Sequence, residues 1–309
     1  MNDFLIITGG NNKYIDSLMQ LVKHFNKLPI DNSNLIIHDL GLSDNNIEKI
    51  TTIIPNVTIC KIDYSKYPQH VNFLNYNFLH NSYAFKPICI WNSAQNTNKP
   101  IIWFDSCVRF NISHLIKIKS IIEKNGLWTS MANNAKTEQT IELNHRDTLK
   151  HFNISDYEHE NLLITRFGGL CGFDYNHKIG KHILDEWYKY SLIENIITPP
   201  NSSRNNHRQD QTLLSAIIFN YEKIHNMKFN VCKMWRSNEN QKLIWANKVK
   251  IHNSLPGYTY YDRINLENNQ KAKQPVYCKT NNEAVEIYAN RLHISKDELL
   301  KKYKIIISK

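Results

Sequence analysis

Asp105 closes the apolar run Ile101-Ile102-Trp103-Phe104. A continuous apolar run of that kind reads as a strand buried on both faces. In an open α/β sheet, ligands collect beyond the carboxyl ends of the strands. Asp105 is therefore a metal or ribose ligand, or a solvated loop acid. A second concentration of polar groups is His207-Arg208-Gln209-Asp210-Gln211, which opens the apolar stretch Leu213 to Ile218. An acid in the first turn of a helix is ordinary capping and dipole chemistry. The density of a His, an Arg, an Asp and two Gln within one short stretch adds a functional reading. The run Arg166 to Asp174 holds Gly168, Gly169 and Gly172. Glycine weakens a strand unless a backbone or ligand must come close, which makes this run a candidate site wall. Lys86 is the one charge in an otherwise apolar helical segment from Ser82 to Trp91. Such a lysine snorkels to the surface or pairs with a phosphate.

These residues need a scaffold, and the chain alternates in the way that supplies one. Apolar strands are expected at Phe4–Thr8, Leu35–Ile37 and Val57–Ile62. Helices fall between them, with Leu18, Val22 and Phe25 on one face and Ile47, Ile50 and Ile54 on the next. Strand–helix alternation predicts a mostly parallel, doubly wound α/β sheet. Gly9-Gly10 follows the first strand without the full dinucleotide-binding spacing. Ser113 is the expected cap of a helix running to Gly126, and Leu127–Met131 the expected strand after it. The polar stretch 132–157 is an acceptor-recognising excursion or a solvated insertion. Thr198 to Asn206 is a loop by its turn residues and a candidate lid. Val249–Asn253 is a short strand carrying His252, followed by a turn at Pro256-Gly257. The segment from Asn282 to Tyr303 is helical in pattern. The expected organisation is a main domain over 1–265 and a C-terminal helical extension over 266–309.

The chain has 309 residues and a formal net charge of +10. That length supports a sizeable core. The basic charge is spread rather than clustered, which favours a phosphorylated ligand, or plain solubility, over a nucleic-acid surface. None of the six cysteines has a neighbour at metal-pair spacing, so a structural zinc site is not expected. Several lie in apolar runs and read as reduced, buried thiols, which favours a reducing, cytoplasmic setting. The N-terminus lacks a signal-peptide pattern, no integral membrane segment is evident, and no solenoid repeat is present.

The order of these features resembles the GT-A fold of nucleotide-sugar glycosyltransferases, in particular the glycogenin and bacterial lipopolysaccharide galactosyltransferase group. It is also similar to nucleotide-diphospho-sugar transferase-like proteins that pair a D-L-G-L segment, here Asp39–Leu42, with an H-R-x-D-Q segment, here His207–Gln211. The resemblance spans roughly Phe4 to Tyr260. It implies transfer of a sugar from a nucleotide-diphosphate donor, UDP by default, to a glycan or protein acceptor, with retention of configuration. It further implies donor contacts from Thr8, Lys86, Asp105, Gly168, Gly169 and Arg208. Asp210 and Gln211 would lie at the reacting carbon, and Asp105 and His252 would hold Mn²⁺ or Mg²⁺. The chain departs from the family at Cys107, which stands where the second Asp of D-x-D belongs. A thiol is a poor ligand for hard divalent cations. That departure leaves a catalytically inactive nucleotide-sugar-binding protein as the alternative, with a basic nucleic-acid-binding module behind it.

Overall fold

The computed structural model describes residues 3–75, 81–131, 143–229, 259–267, 276–278, 280–292 and 294–307. Its main sheet has six strands in the order β3-β2-β1-β4-β6-β5. These are β1 (Leu5–Gly10), β2 (Leu35–Asp39), β3 (Thr58–Lys61), β4 (Ile101–Phe104), β5 (Leu127–Met131) and β6 (Arg166–Phe173). β1 pairs in parallel with β2 and β4, and β2 with β3. β6 runs antiparallel to both β4 and β5. The sheet is thus mostly parallel and Rossmann-like, of the GT-A type that the sequence leads one to expect. The reversal of β6 matters for function. It brings the first residues of β6 beside the carboxyl end of β4, so glycines and acid meet at one edge.

Helices cover both faces, and strand alternation divides the core accordingly. On one face, Ile7 and Trp103 pack with α3 (Phe85–Ala94), α7 (Lys178–Ser191) and α9 (Gln209–Ile224). On the other, Ile6, Ile102 and Phe104 pack with α1 (Ile15–Phe25), α2 (Asp44–Ile53) and α4 (Ile112–Asn125). The cap of α4 is Asn111, whose side chain accepts from His114 N, and not Ser113. Ser113 falls inside the first turn, where its hydroxyl donates to Asn111 Oδ1. Two short helices, α5 (Arg146–His151) and α6 (Asp156–Asn161), occupy the described part of the polar excursion, and α8 (Glu194–Ile197) precedes the turn-rich loop.

The C-terminal residues contain the expected helices, α10 (Asn281–Leu292) and α11 (Lys296–Lys302), but they are organised on a sheet. Strands β7 (Thr259–Asn265), β8 (Val276–Cys278) and β9 (Tyr303–Ile307) pair antiparallel in the order β8-β7-β9. The extension is therefore mixed rather than purely helical. Strand β7, which the sequence reading leaves wholly in the main domain, joins this second sheet. A separate small core of Ala284, Val285, Tyr288, Ala289, Leu299 and Ile305 supports it. The strands are short, and three-residue β8 is below what periodicity can detect. No helix among the described residues is long and apolar enough to cross a membrane.

Candidate active site

Three elements deliver charge to one point at the carboxyl edge of β4. Lys86 comes from the first turn of α3, Asp105 from the residue after β4, and Asp210 from the first turn of α9. The Lys86 ammonium lies 3.2 Å from Asp105 Oδ1 and 3.0 Å from Asp210 Oδ2. The lysine neither snorkels nor stands ready for a phosphate; it is 5% exposed and bridges two acids. Trp103, two residues earlier on the same strand face, donates from Nε1 to Asp105 Oδ1 at 2.8 Å. Lys86 and Trp103 thus share one carboxylate oxygen, Oδ1, and Oδ2 lies over Gly169. The side chain of Asp105 is about one-third exposed, against one-tenth for Asp210.

The glycines make this arrangement possible. Asp105 N donates to Gly169 O at 2.9 Å, continuing the β4–β6 ladder past the end of β4. A Cβ on Gly169 would stand 2.4 Å from Asp105 Oδ2, and one on Gly168 would stand 2.7 Å from Asp210 Oδ2. The space at each glycine is therefore taken first by a carboxylate. Helix α9 is fastened to β6 by Arg166 N, which donates to Ser215 Oγ at 2.8 Å, and to α7 by Trp187 Nε1, which donates to Asp210 O at 3.0 Å. Gln211 starts beside the same glycine, with its Cα 3.6 Å from a Cβ on Gly168.

Burial drives the electrostatics. It pushes the Asp210 carboxyl above its ordinary value, and Asp105 adds to that, while Lys86 and Arg204 pull it back. Burial alone would lower Lys86, but the carboxylates of Asp105 and Asp210 more than offset it and hold its pKa above the ordinary lysine value. Both segments that bring these groups in enter through residues of positive φ. Tyr83, three residues before Lys86, has φ +54°, and Gln209, immediately before Asp210, has φ +23°. Such backbone costs on the order of 1–3 kcal/mol each and persists only where the surroundings enforce it.

The loop ahead of α9 contributes a group that the sequence reading passes over. Arg204 Nη1 donates to Tyr83 Oη at 2.5 Å, and its guanidinium stacks 5.2 Å from the centroid of the Tyr83 ring. Arg208 donates from Nη1 to the carbonyls of Arg204 and His207, so part of its role is to tie this turn together. His207 is wholly buried. Its Nδ1 accepts from His145 N at 3.2 Å and its Nε2 donates to Ile197 O at 2.9 Å, which fixes the neutral ring in one tautomer. Burial lowers its pKa to about 3. Only the spatial neighbourhood of Tyr83 and Asp210 marks Arg204; in the sequence it is one more basic residue in a polar loop.

One sequence expectation changes. Thr8 is fully buried, and by strand alternation its side chain lies on the opposite face of the sheet from Trp103 and Asp105. Its side chain does not share the face that carries Asp105. The D-L-G-L segment is a folded turn: Asp39 Oδ1 accepts from Gly41 N at 2.8 Å and Leu42 N at 2.6 Å, and Gly41 has φ +118°, which favours glycine. His252 and Gly257 lie outside the described residues.

Of the two residues that the resemblance assigns to a divalent metal, Asp105 is among the described residues and His252 is not. Among the described residues, no group of three or more His, Cys, Asp or Glu side chains is placed to hold an ion. Asp105 already carries an ammonium on Oδ1. Cys107 packs with the apolar cluster of Phe104, Val108 and Phe110 on the α1/α4 face, away from Trp103 and Lys86. It does not take the place of a second carboxylate.

A family described as "Protein of unknown function (DUF1647)" matches residues 1–91. No curated protein matches the chain. Solved structures similar to it include glycosyltransferases. The galactosyltransferase LgtC, in complex with donor and acceptor sugar analogs, is 14% identical, with 69% of each chain covered and a TM-score of 0.40. The bifunctional WbbM apo structure is 11% identical at TM-score 0.44, over 70% of this chain. The present chain spans 37% of WbbM's length. Core-mannan synthase A from Aspergillus fumigatus, in its Mn/GDP form, is 9% identical at TM-score 0.40, over 71% of this chain and 70% of that one.

Proposed function

We propose that this protein is a glycosyltransferase that moves a sugar from a nucleotide-diphosphate donor, by default a UDP-sugar, to a glycan or protein acceptor with retention of configuration. The observation that carries the reading is the Lys86–Asp105–Asp210 cluster, set at the carboxyl edge of β4 against a glycine-lined strand. Ligands of open α/β sheets bind at that edge. A buried lysine shared between a buried acid and a half-buried one is costly to maintain for stability alone.

In this proposal Asp105 turns Oδ2 to the donor, with Trp103 and Lys86 holding the carboxylate in place. Gly168 and Gly169 bound the sugar pocket, and Arg208 adds positive charge at its mouth. The bond from the anomeric carbon to the leaving diphosphate oxygen breaks through an oxocarbenium-like state. Asp210 lies beside that carbon and stabilises the positive charge that develops there. Its tie to Lys86 at 3.0 Å makes it a better electrostatic partner than a nucleophile. The acceptor hydroxyl, oriented by Gln211, attacks from the face the diphosphate leaves, and its proton passes to the departing phosphate oxygen. Bond formed, bond broken and proton then balance without a protein base.

The test is incubation with a panel of UDP- and GDP-sugars while free nucleoside diphosphate is measured. Release with one donor, lost in Asp105→Asn, is the expected result. No release with any donor, in the presence or absence of acceptor extracts, would defeat the catalytic reading. One observation favours a second reading. Cys107, half-buried against the apolar cluster, stands where the resembling family has a metal ligand, so the site could bind a nucleotide sugar without turning it over. Tight donor binding with no release would select that reading.

A further inference from the structure

We propose that the donor diphosphate is held by cationic side chains of the 198–208 loop, Arg204 foremost, in place of a divalent metal ion. The inference rests on the donor site proposed above and concerns what neutralises its phosphates.

The donor set argues first. A hard divalent ion seeks several oxygen ligands, and among the described residues the edge of β4 presents the carboxylates of Asp105 and Asp210, which already share the Lys86 ammonium. Asp105 Oδ1 is held by Trp103 at 2.8 Å and faces that ammonium at 3.2 Å. An ion on Oδ2 would sit close to that ammonium in a partly buried site, where like charges repel strongly. Cys107, at the position of the missing ligand, packs among Phe104, Val108 and Phe110.

The loop offers the opposite character. Tyr83 orients Arg204 by a 2.5 Å hydrogen bond and by stacking at 5.2 Å, and the guanidinium acts on Asp210 across the site. The turn that carries it is built rather than slack. Ser203 N donates to Asn206 Oδ1 at 2.8 Å, Asn206 Nδ2 donates to Asn201 O at 3.0 Å, and His207 N donates to Ser203 O at 2.8 Å. Arg208 ties the same turn through the carbonyls of Arg204 and His207. A planar guanidinium fork matches phosphate oxygens in geometry as well as charge. Lys86 is taken by Asp105 and Asp210, so the cations this inference assigns to the diphosphate are Arg204 and Arg208.

The experiment is calorimetric titration of UDP, GDP, CDP, ADP and dTDP into the wild type, in EDTA and in Mn²⁺, repeated with Arg204→Gln and Arg204→Lys. The expected result is one nucleotide whose Kd in EDTA is within about threefold of that in Mn²⁺, weakened about tenfold or more by Arg204→Gln and less by Arg204→Lys. Binding that requires Mn²⁺, or Arg204→Gln binding like the wild type, would overturn the inference while leaving the donor site standing. If Arg204→Gln loses its thermal transition, the wild-type comparison between EDTA and Mn²⁺ decides alone. Failure of all five nucleotides to bind in either buffer would remove the donor site itself, and the inference with it.

Discussion

Strand β6 and helix α9 meet in two charged contacts of opposite character. Near one end, Arg166 and Glu222 form a buried pair at 2.7 Å, both almost inaccessible to solvent. Glu222 also accepts from Phe229 N at 3.0 Å and faces Lys228 at 3.2 Å, so its oxygens are supplied by the protein itself. At the other end, Asp210 leans over Gly168 and shares Lys86 with Asp105, two acids to one base. The first contact is complete without a ligand and serves the scaffold. The second leaves an acid pushed above its ordinary pKa and two acids on a single base. The lesson is one of stoichiometry: buried charge that balances within the fold reads as structure, and buried charge that does not reads as a site.

The largest effect should come from unbalancing the balanced pair. Glu222→Gln strands the Arg166 guanidinium and is expected to cost about 3–5 kcal/mol of stability, read as a fall in denaturation midpoint, with donor affinity unchanged in the protein that remains folded. Asp105→Asn should do the reverse. Turnover is expected to fall on the order of 100- to 1,000-fold, while the melting temperature holds or rises because Asp210 loses a like-charged neighbour. Parallel losses in both variants, in both assays, would erase the distinction.

Acid titration sharpens it further. His207 and His38 are held neutral by burial, with pKa values lowered to about 3 and about 4. His38 lies 2.8 Å from Ser93 Oγ. A histidine with a folded pKa below its unfolded value contributes stability above about pH 6.5 that is lost as the pH falls toward the folded pKa. Each should forfeit about 2 kcal/mol between pH 6.5 and 5. Asp210 has the opposite sign, since its raised pKa favours the folded state as it protonates. Stability against pH should therefore decline on the acid side, and His207→Gln should flatten the decline; an unchanged slope in that variant would count against the buried, neutral assignment. The smallest effect belongs to Cys107→Ala, expected to change turnover by less than about threefold and stability by about 1 kcal/mol, a modest truncation of a partly buried apolar contact.

The sequence made some of this arrangement readable and hid the rest for definite reasons. An apolar run ending in Asp105, glycines clustered in one strand and polar residues opening an apolar helix are local patterns, and each lies where those patterns placed it. Lys86 was visible as an anomaly, but its partners come from elements far apart in the chain, and pairing at that range leaves no periodic trace. Thr8 shows the limit of strand logic. The strand was legible, yet which alternate residues face α3 and which face α1 depends on packing that only the assembled sheet decides. Arg204 was hidden because its role comes from Tyr83 and Asp210 in space. The small second sheet escaped because β8 spans only Val276–Cys278.

The most direct measurement is the shift in melting temperature produced by a panel of nucleotide sugars on the wild type, Glu222→Gln and Asp105→Asn. A ligand that binds only the folded state at a hundred times its Kd stabilises it by about 2.7 kcal/mol. One donor should raise the transition of the wild type and, from its lower baseline, of Glu222→Gln, and should leave Asp105→Asn unmoved. An equal rise in Asp105→Asn, or no rise with any donor in the wild type, would contradict the assignment of the unbalanced cluster as the donor site.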